Sequence, residues 1–167
     1  SFDADRMQER ISGSAWHDAI QAHLYFDHIV SKILFEGFPR PQSLQLERLS
    51  FAQKLDLAAA SALIDADVIA FLRGINSLRN EIAHNLEFDV TEGEISKVLS
   101  RLPSRYARIV RDEEPPERGV DLRKSFVVMT ILLDLHRQGL VAQRLKSRKS
   151  ELRLRAVLDH QPHDWVP

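Results

Sequence analysis

Cysteine is missing from this chain of 167 residues. That excludes disulfides, thiolate zinc sites and thiol nucleophiles, and it suits a reducing compartment. Glycine and proline are scarce, at 6 and 7 residues. The glycines stand singly, so no Gly-rich loop cradles a nucleotide phosphate and no Gly-x-Ser-x-Gly turn presents a serine nucleophile. Neither charge sign dominates. Lys plus Arg number 23 and Asp plus Glu 24, so the chain as a whole is no polycation and any basic site must be local. Long apolar runs are missing too. The strongest, Phe126 to Leu135, is half of what a bilayer-spanning helix needs and contains Thr130 and Asp134. No membrane span is expected. The start, Ser1-Phe2-Asp3-Ala4-Asp5, lacks the basic, apolar, small-residue order of a signal peptide, and the expected location is the cytoplasm.

What is present suffices for a core: 44% of the residues are hydrophobic and 28% charged, ordinary values for one globular domain. The prolines leave several long segments without strong breakers, and these read as helices. From Ala15 to Leu34 apolar residues recur at helical spacing, with Ser14 placed to cap the start. After Gly37-Phe38-Pro39-Arg40-Pro41, a Leu- and Ala-rich run extends from Leu46 to Ile64, and Asp65 opens a longer one from Ala66 to about Leu86. Thr91, with Glu94 three residues on, starts a shorter helix that stops before Pro103. The acidic segment around Glu113-Glu114-Pro115-Pro116 reads as a solvated loop between Tyr106–Val110 and the last helix, from about Val120 to Lys149. That helix is apolar nearly all round between Phe126 and Leu135, which suits a central position in a bundle. No strand alternation is visible. The expectation is an all-α single bundle of about five helices over residues 1–150, followed by a tail at 151–167 in which His160, His163 and Trp165 have no helical pattern.

The most informative stretch is Leu72-Arg73-Gly74-Ile75-Asn76-Ser77-Leu78-Arg79-Asn80-Glu81-Ile82-Ala83-His84-Asn85. At about 100° per residue, Val68, Phe71, Ile75, Leu78, Ile82 and Leu86 share one face, which must point into the bundle. Asn80 and His84 stack four residues apart and, with Arg73 and Ser77, draw a polar line away from that stripe. Arg79 lies between the two faces, and its length lets it lean either way.

This stretch resembles the HEPN superfamily, whose signature is an Arg, a polar residue after it and a His four to six residues beyond the Arg. Arg79, Asn80 and His84 match it. The likeness extends to the surroundings, with a long helix before, a segment such as Phe51–Ala58 leading into the motif helix and further helices after it, over most of residues 14–147. Many members of that superfamily are metal-independent endoribonucleases that dimerise so that two motifs meet in one cleft, and many others have lost the activity. The resemblance implies a homodimer and an RNA substrate, with an antitoxin or regulatory protein as a possible partner. It also implies a toxin-like or defence-related role, with no metal and no cofactor. Chemically the residues suit RNA cleavage. His84 serves as general acid or base, since a histidine titrates near neutrality. Arg79 holds the phosphate through its planar fork, and Asn80 orients the imidazole or bonds the phosphate. The toxin branch paired with nucleotidyltransferases carries a Tyr two residues after the His, where this chain has Leu86. Two other readings stay open: a non-catalytic HEPN-like regulatory module, similar to mannitol operon repressors, and a helical scaffold in which Arg, Asn and His only form caps and seams.

A second feature is basic. Between Arg137 and Arg155 seven cations face one acid, Glu151. Arg144, Lys146, Arg148 and Lys149, together with Arg73, are candidate RNA-backbone contacts; the alternative is a solvated helix end. His17, His23 and His28 are six and five residues apart, which is wrong for a helical metal pair, and are expected at the surface or its boundary.

Overall fold

The computed structural model describes residues 15–85, 88–112 and 122–159. The Ser14 cap, the acidic Pro-paired loop and the His160–Trp165 tail lie outside them. The described chain is all helix: α1 (Ala15–Gly37), two 3-10 turns (Pro41–Leu44 and Leu46–Arg48), α2 (Phe51–Ala60), α3 (Ala66–His84), α4 (Glu92–Leu99), α5 (Ser104–Asp112) and α6 (Leu122–Asp159). The all-α expectation holds, and the number of helices exceeds the expected five. α5, the helix that follows Pro103 as the sequence predicts, buries little more than part of Tyr106 and Ala107.

Local chemistry sets the helix ends. Ser50 and Gln53 form a capping box at α2, with Ser50 Oγ accepting from the Gln53 amide at 3.3 Å and Gln53 Oε1 accepting from the Ser50 amide at 2.9 Å. Thr91 Oγ1 accepts from the Glu94 amide at 3.3 Å, as the spacing predicts. Asp65 precedes α3 as expected, but its carboxylate bonds Arg105 at 2.8 Å instead of capping the helix. Arg105 also reaches Asp67, at 2.9 Å, and so pins α5 to the start of α3.

α1 is the hub. Its buried stripe, Ala19, Ala22, Phe26, Val30, Ile33 and Leu34, packs against α6 on one side and α2 and α3 on the other. Phe26 meets Phe71 and Phe126 edge to face, with ring centroids 6.3 Å and 6.0 Å apart, so one side chain joins three helices. Two contacts fix the direction of α6: Arg123 pairs with Asp18 at 3.0 Å near the start of α1, and Arg144 bonds the Glu36 carbonyl at 3.3 Å near its end. The helices therefore run parallel. α3 runs the other way, because Leu63, just before it, packs against Gly37, while Asn76 lies beside His23. The C-terminal end of α3 thus sits at the N-terminal end of α1.

α6 departs from its expected place in two respects. It buries Leu122, Phe126, Met129 and Leu133 against the bundle but leaves Val127, Ile131 and Leu135 exposed, so it is an edge helix and not a central one. It also continues to Asp159, well past Lys149, and from Leu145 to Leu158 every residue is exposed. It is the described helix long and apolar enough, by length and composition alone, to cross a membrane.

Candidate functional site

The Arg-Asn-His stretch occupies the last turns of α3. Ile75, Leu78 and Ile82 are buried and anchor that end of the helix, which leaves Arg79 and His84 exposed and Asn80 half-buried. Arg79 donates from Nη1 to Asn80 Oδ1 at 3.3 Å. Among the described residues it forms no ion pair, unlike Arg73, Arg105 and Arg123. His84 is the last residue of α3, and its imidazole has no hydrogen-bond partner among the described residues. Five positions separate it from Arg79, so the two side chains leave the helix about 140° apart, whereas Asn80 and His84 are about 40° apart. The structure brings Arg79 and Asn80 together and leaves His84 out of hydrogen-bond contact with both.

The candidate RNA-backbone residues are spread along the molecule. Arg73 continues the polar line of α3 and pairs with Asp56 of α2 at 2.6 Å in an exposed bridge, an interaction weak enough to yield to a phosphate. Arg144 bonds the Glu36 carbonyl at the opposite end of the bundle from His84. Lys146, Arg148 and Lys149 lie on the exposed overhang beyond it. Within one chain the basic segment and the motif form no common site.

His23 is a correction. It is buried, not at the surface, with Nε2 3.2 Å from Asn76 Oδ1 and its ring edge-on to Phe51 at 4.8 Å between centroids. The helical spacing could have shown this, since His23 falls within the buried stripe between Ala19 and Phe26. Burial away from water holds its pKa below the ordinary histidine value; the Asn76 hydrogen bond and Asp27 oppose that shift, and the Arg79 and Lys54 charges add to it. Arg79 therefore lies within electrostatic range of His23. Lys54, also buried, is neutralised by Asp27 at 2.8 Å, so α1, α2 and α3 meet in a polar cluster behind the motif.

No group of three or more His, Asp or Glu side chains among the described residues is arranged to hold a metal ion. A groove of ≈ 420 Å³ opens between α1 and α6, bounded by Gln21, Tyr25, Val127 and Ile131. Compared with known protein families, curated proteins and solved structures, the chain shows no match.

Proposed function

We propose that the chain is a metal-independent endoribonuclease of the HEPN type, acting as a homodimer in which the second copy supplies the other wall of the RNA cleft. The observation that carries this reading is the state of the motif. Arg79 is exposed and without an ion pair among the described residues, bonded to Asn80, which lies one turn before exposed His84 at the end of a helix whose other face is buried. An uncommitted guanidinium is what phosphate capture needs. In the reaction the ribose 2′-oxygen forms a bond to the adjacent phosphorus as His84 takes its proton, and the bond from phosphorus to the 5′-oxygen breaks. That oxygen takes a proton from solvent. Arg79 steadies the charge on the phosphoryl oxygens, and Asn80 holds the guanidinium toward the polar face. The products are a 2′,3′-cyclic phosphate and a 5′-hydroxyl. A toxin-like or defence-related nuclease held in check by an antitoxin fits this chemistry.

The test is cleavage of a mixed, end-labelled RNA in EDTA by wild type and His84→Ala at matched folding. Cleavage by the wild type alone is expected, and equal rates would sink the proposal. One observation favours a second reading, a non-catalytic regulatory module: no described side chain orients the His84 imidazole, as a general base requires. Equal inactivity of both proteins favours that reading.

A further inference from the structure

Two amides on the polar face of α3 have their directions fixed by their partners. A neutral imidazole carries one N–H, and the Asn76 Oδ1 that lies 3.2 Å from His23 Nε2 can only accept, so the hydrogen sits on Nε2 and is donated to Asn76. The oxygen of the Asn76 amide therefore turns inward to α1, and its NH2 turns outward. Asn80 is set in the same sense. Its Oδ1 accepts from Arg79 Nη1 at 3.3 Å, which again uses the oxygen and leaves the NH2 over. Neither NH2 has a hydrogen-bond partner among the described residues, and neither is closed off from water, since Trp16 Nε1 is the one buried and unbonded side-chain polar atom among them.

Helix geometry gathers these donors. Asn80 lies four residues beyond Asn76 and about 40° round the helix, and Arg79 lies three residues beyond and about 60° round the other way. At both spacings helical side chains are neighbours, with Cβ atoms about 5–6 Å apart. Two NH2 groups and a guanidinium thus share a patch one turn long. No carboxylate answers them among the described residues. Arg79 has no ion pair there; Asp27, whose charge reaches His23, is held by Lys54 at 2.8 Å, and Asp56 is held by Arg73 at 2.6 Å. Glu81 leaves the helix about 140° round from Asn76. A patch of donors with a positive charge and no acceptor suits an oxyanion.

We propose that Asn76 completes a phosphate-binding subsite with Arg79 and Asn80, and that buried His23 is the positioning residue that holds the Asn76 NH2 toward the ligand. The ligand is a phosphodiester of a nucleic-acid backbone, an identity that rests on the nuclease reading and deepens it. Asn76 adds a hydrogen bond to the phosphate that Arg79 captures, and His84, two turns beyond Asn76 and about 80° round, moves the proton. Burial suits His23 to its task. Its pKa is held below the ordinary histidine value, first by burial, so the ring stays neutral at neutral pH.

The first test needs no substitution. In wild type at about pH 7.5, the ring nitrogen shifts of His23 in NMR should place its proton on Nε2. A bare Nε2 would mean that Asn76 donates inward and turns its oxygen to the ligand, which would overturn the proposal. On titration with inorganic phosphate at constant ionic strength, the side-chain NH2 signals of Asn76 and Asn80 and the Arg79 Nε–H signal should move together with one Kd. Movement of Arg79 without Asn76 would also overturn it. At matched folding, Asn76→Leu and His23→Leu should each raise that Kd about tenfold. His23→Gln, whose side-chain NH2 can donate to Asn76 Oδ1 as the imidazole does, should bring it back to within about twofold of wild type. A His23→Gln chain as weak as His23→Leu would overturn the positioning role. Phosphate binding as described, in a chain that cleaves no RNA, would sink the nuclease reading and leave the subsite standing. RNA cleavage that depends on His84, with Asn76→Leu binding phosphate as tightly as wild type, would overturn the subsite and leave the nuclease.

Discussion

Gly37 and Gly74 differ in what a methyl group would meet. At Gly74, in the middle of α3, an added Cβ would lie 3.2 Å from Arg101 Cδ and 3.3 Å from its Nη1, atoms of an exposed side chain that can swing away. The gain in helix propensity then dominates, and Gly74→Ala should stabilise by up to about 1 kcal/mol. At Gly37 the Cβ would lie 2.5 Å from both Leu63 methyls and 3.0 Å from Cγ, so a whole branched side chain must move, and Gly37→Ala should destabilise by about 1–3 kcal/mol. Thermal unfolding followed by circular dichroism checks both signs. His23 makes a pH prediction. Its folded-state pKa is lowered, first by burial, so the unfolded chain binds the extra proton more readily. Its contribution is complete above the ordinary histidine pKa and falls away as pH drops from there toward the lowered value. The groups facing it are Asn76 and Arg79 on α3, Lys54 on α2 and Asp27 on its own helix. His23→Gln, which keeps a polar partner for Asn76 and removes the titration, should lose less stability than wild type between pH 7.5 and pH 5 in urea unfolding. An equal loss would show that other groups govern the acid limb. His23 also marks a limit of reading residues by type. Its position in the α1 stripe signalled burial, but the side chain's polarity argued for the surface, and the Asn76 partner 53 positions away was invisible from local spacing.

Among the elements, the long periodic segments were legible and the special ones were not. α3 begins where its apolar spacing predicts, and α4 takes the Thr91 cap and ends before Pro103, as its sequence says. α6 misled for a physical reason. An apolar residue to be covered by the same chain and one to be covered by another look alike in sequence, so a helix apolar all round reads as central when half of that surface lies at the edge. The overhang makes a prediction at this scale. Since Leu145 to Leu158 are exposed throughout, truncation after Arg144 should leave the unfolding free energy of the monomeric bundle, measured at submicromolar concentration, within about 0.5 kcal/mol of wild type. A larger loss would mean that the overhang packs on its own chain.

At the scale of the whole molecule, the motif and the basic segment were both legible in sequence, but their separation was not, because it depends on α6 running parallel to α1 and α3 running against it. That topology sets apart what the two contribute. His84→Ala removes the proton acceptor of the proposed reaction and leaves every cation in place, so it should abolish cleavage while binding of a labelled RNA at 0.15 M salt changes by less than about twofold. Arg148→Glu with Lys149→Glu removes only phosphate contacts at the other end of the chain, so it should weaken that binding about tenfold while cleavage at saturating RNA persists. Cleavage lost in both variants at saturating RNA would show that the cations belong to the reaction site itself.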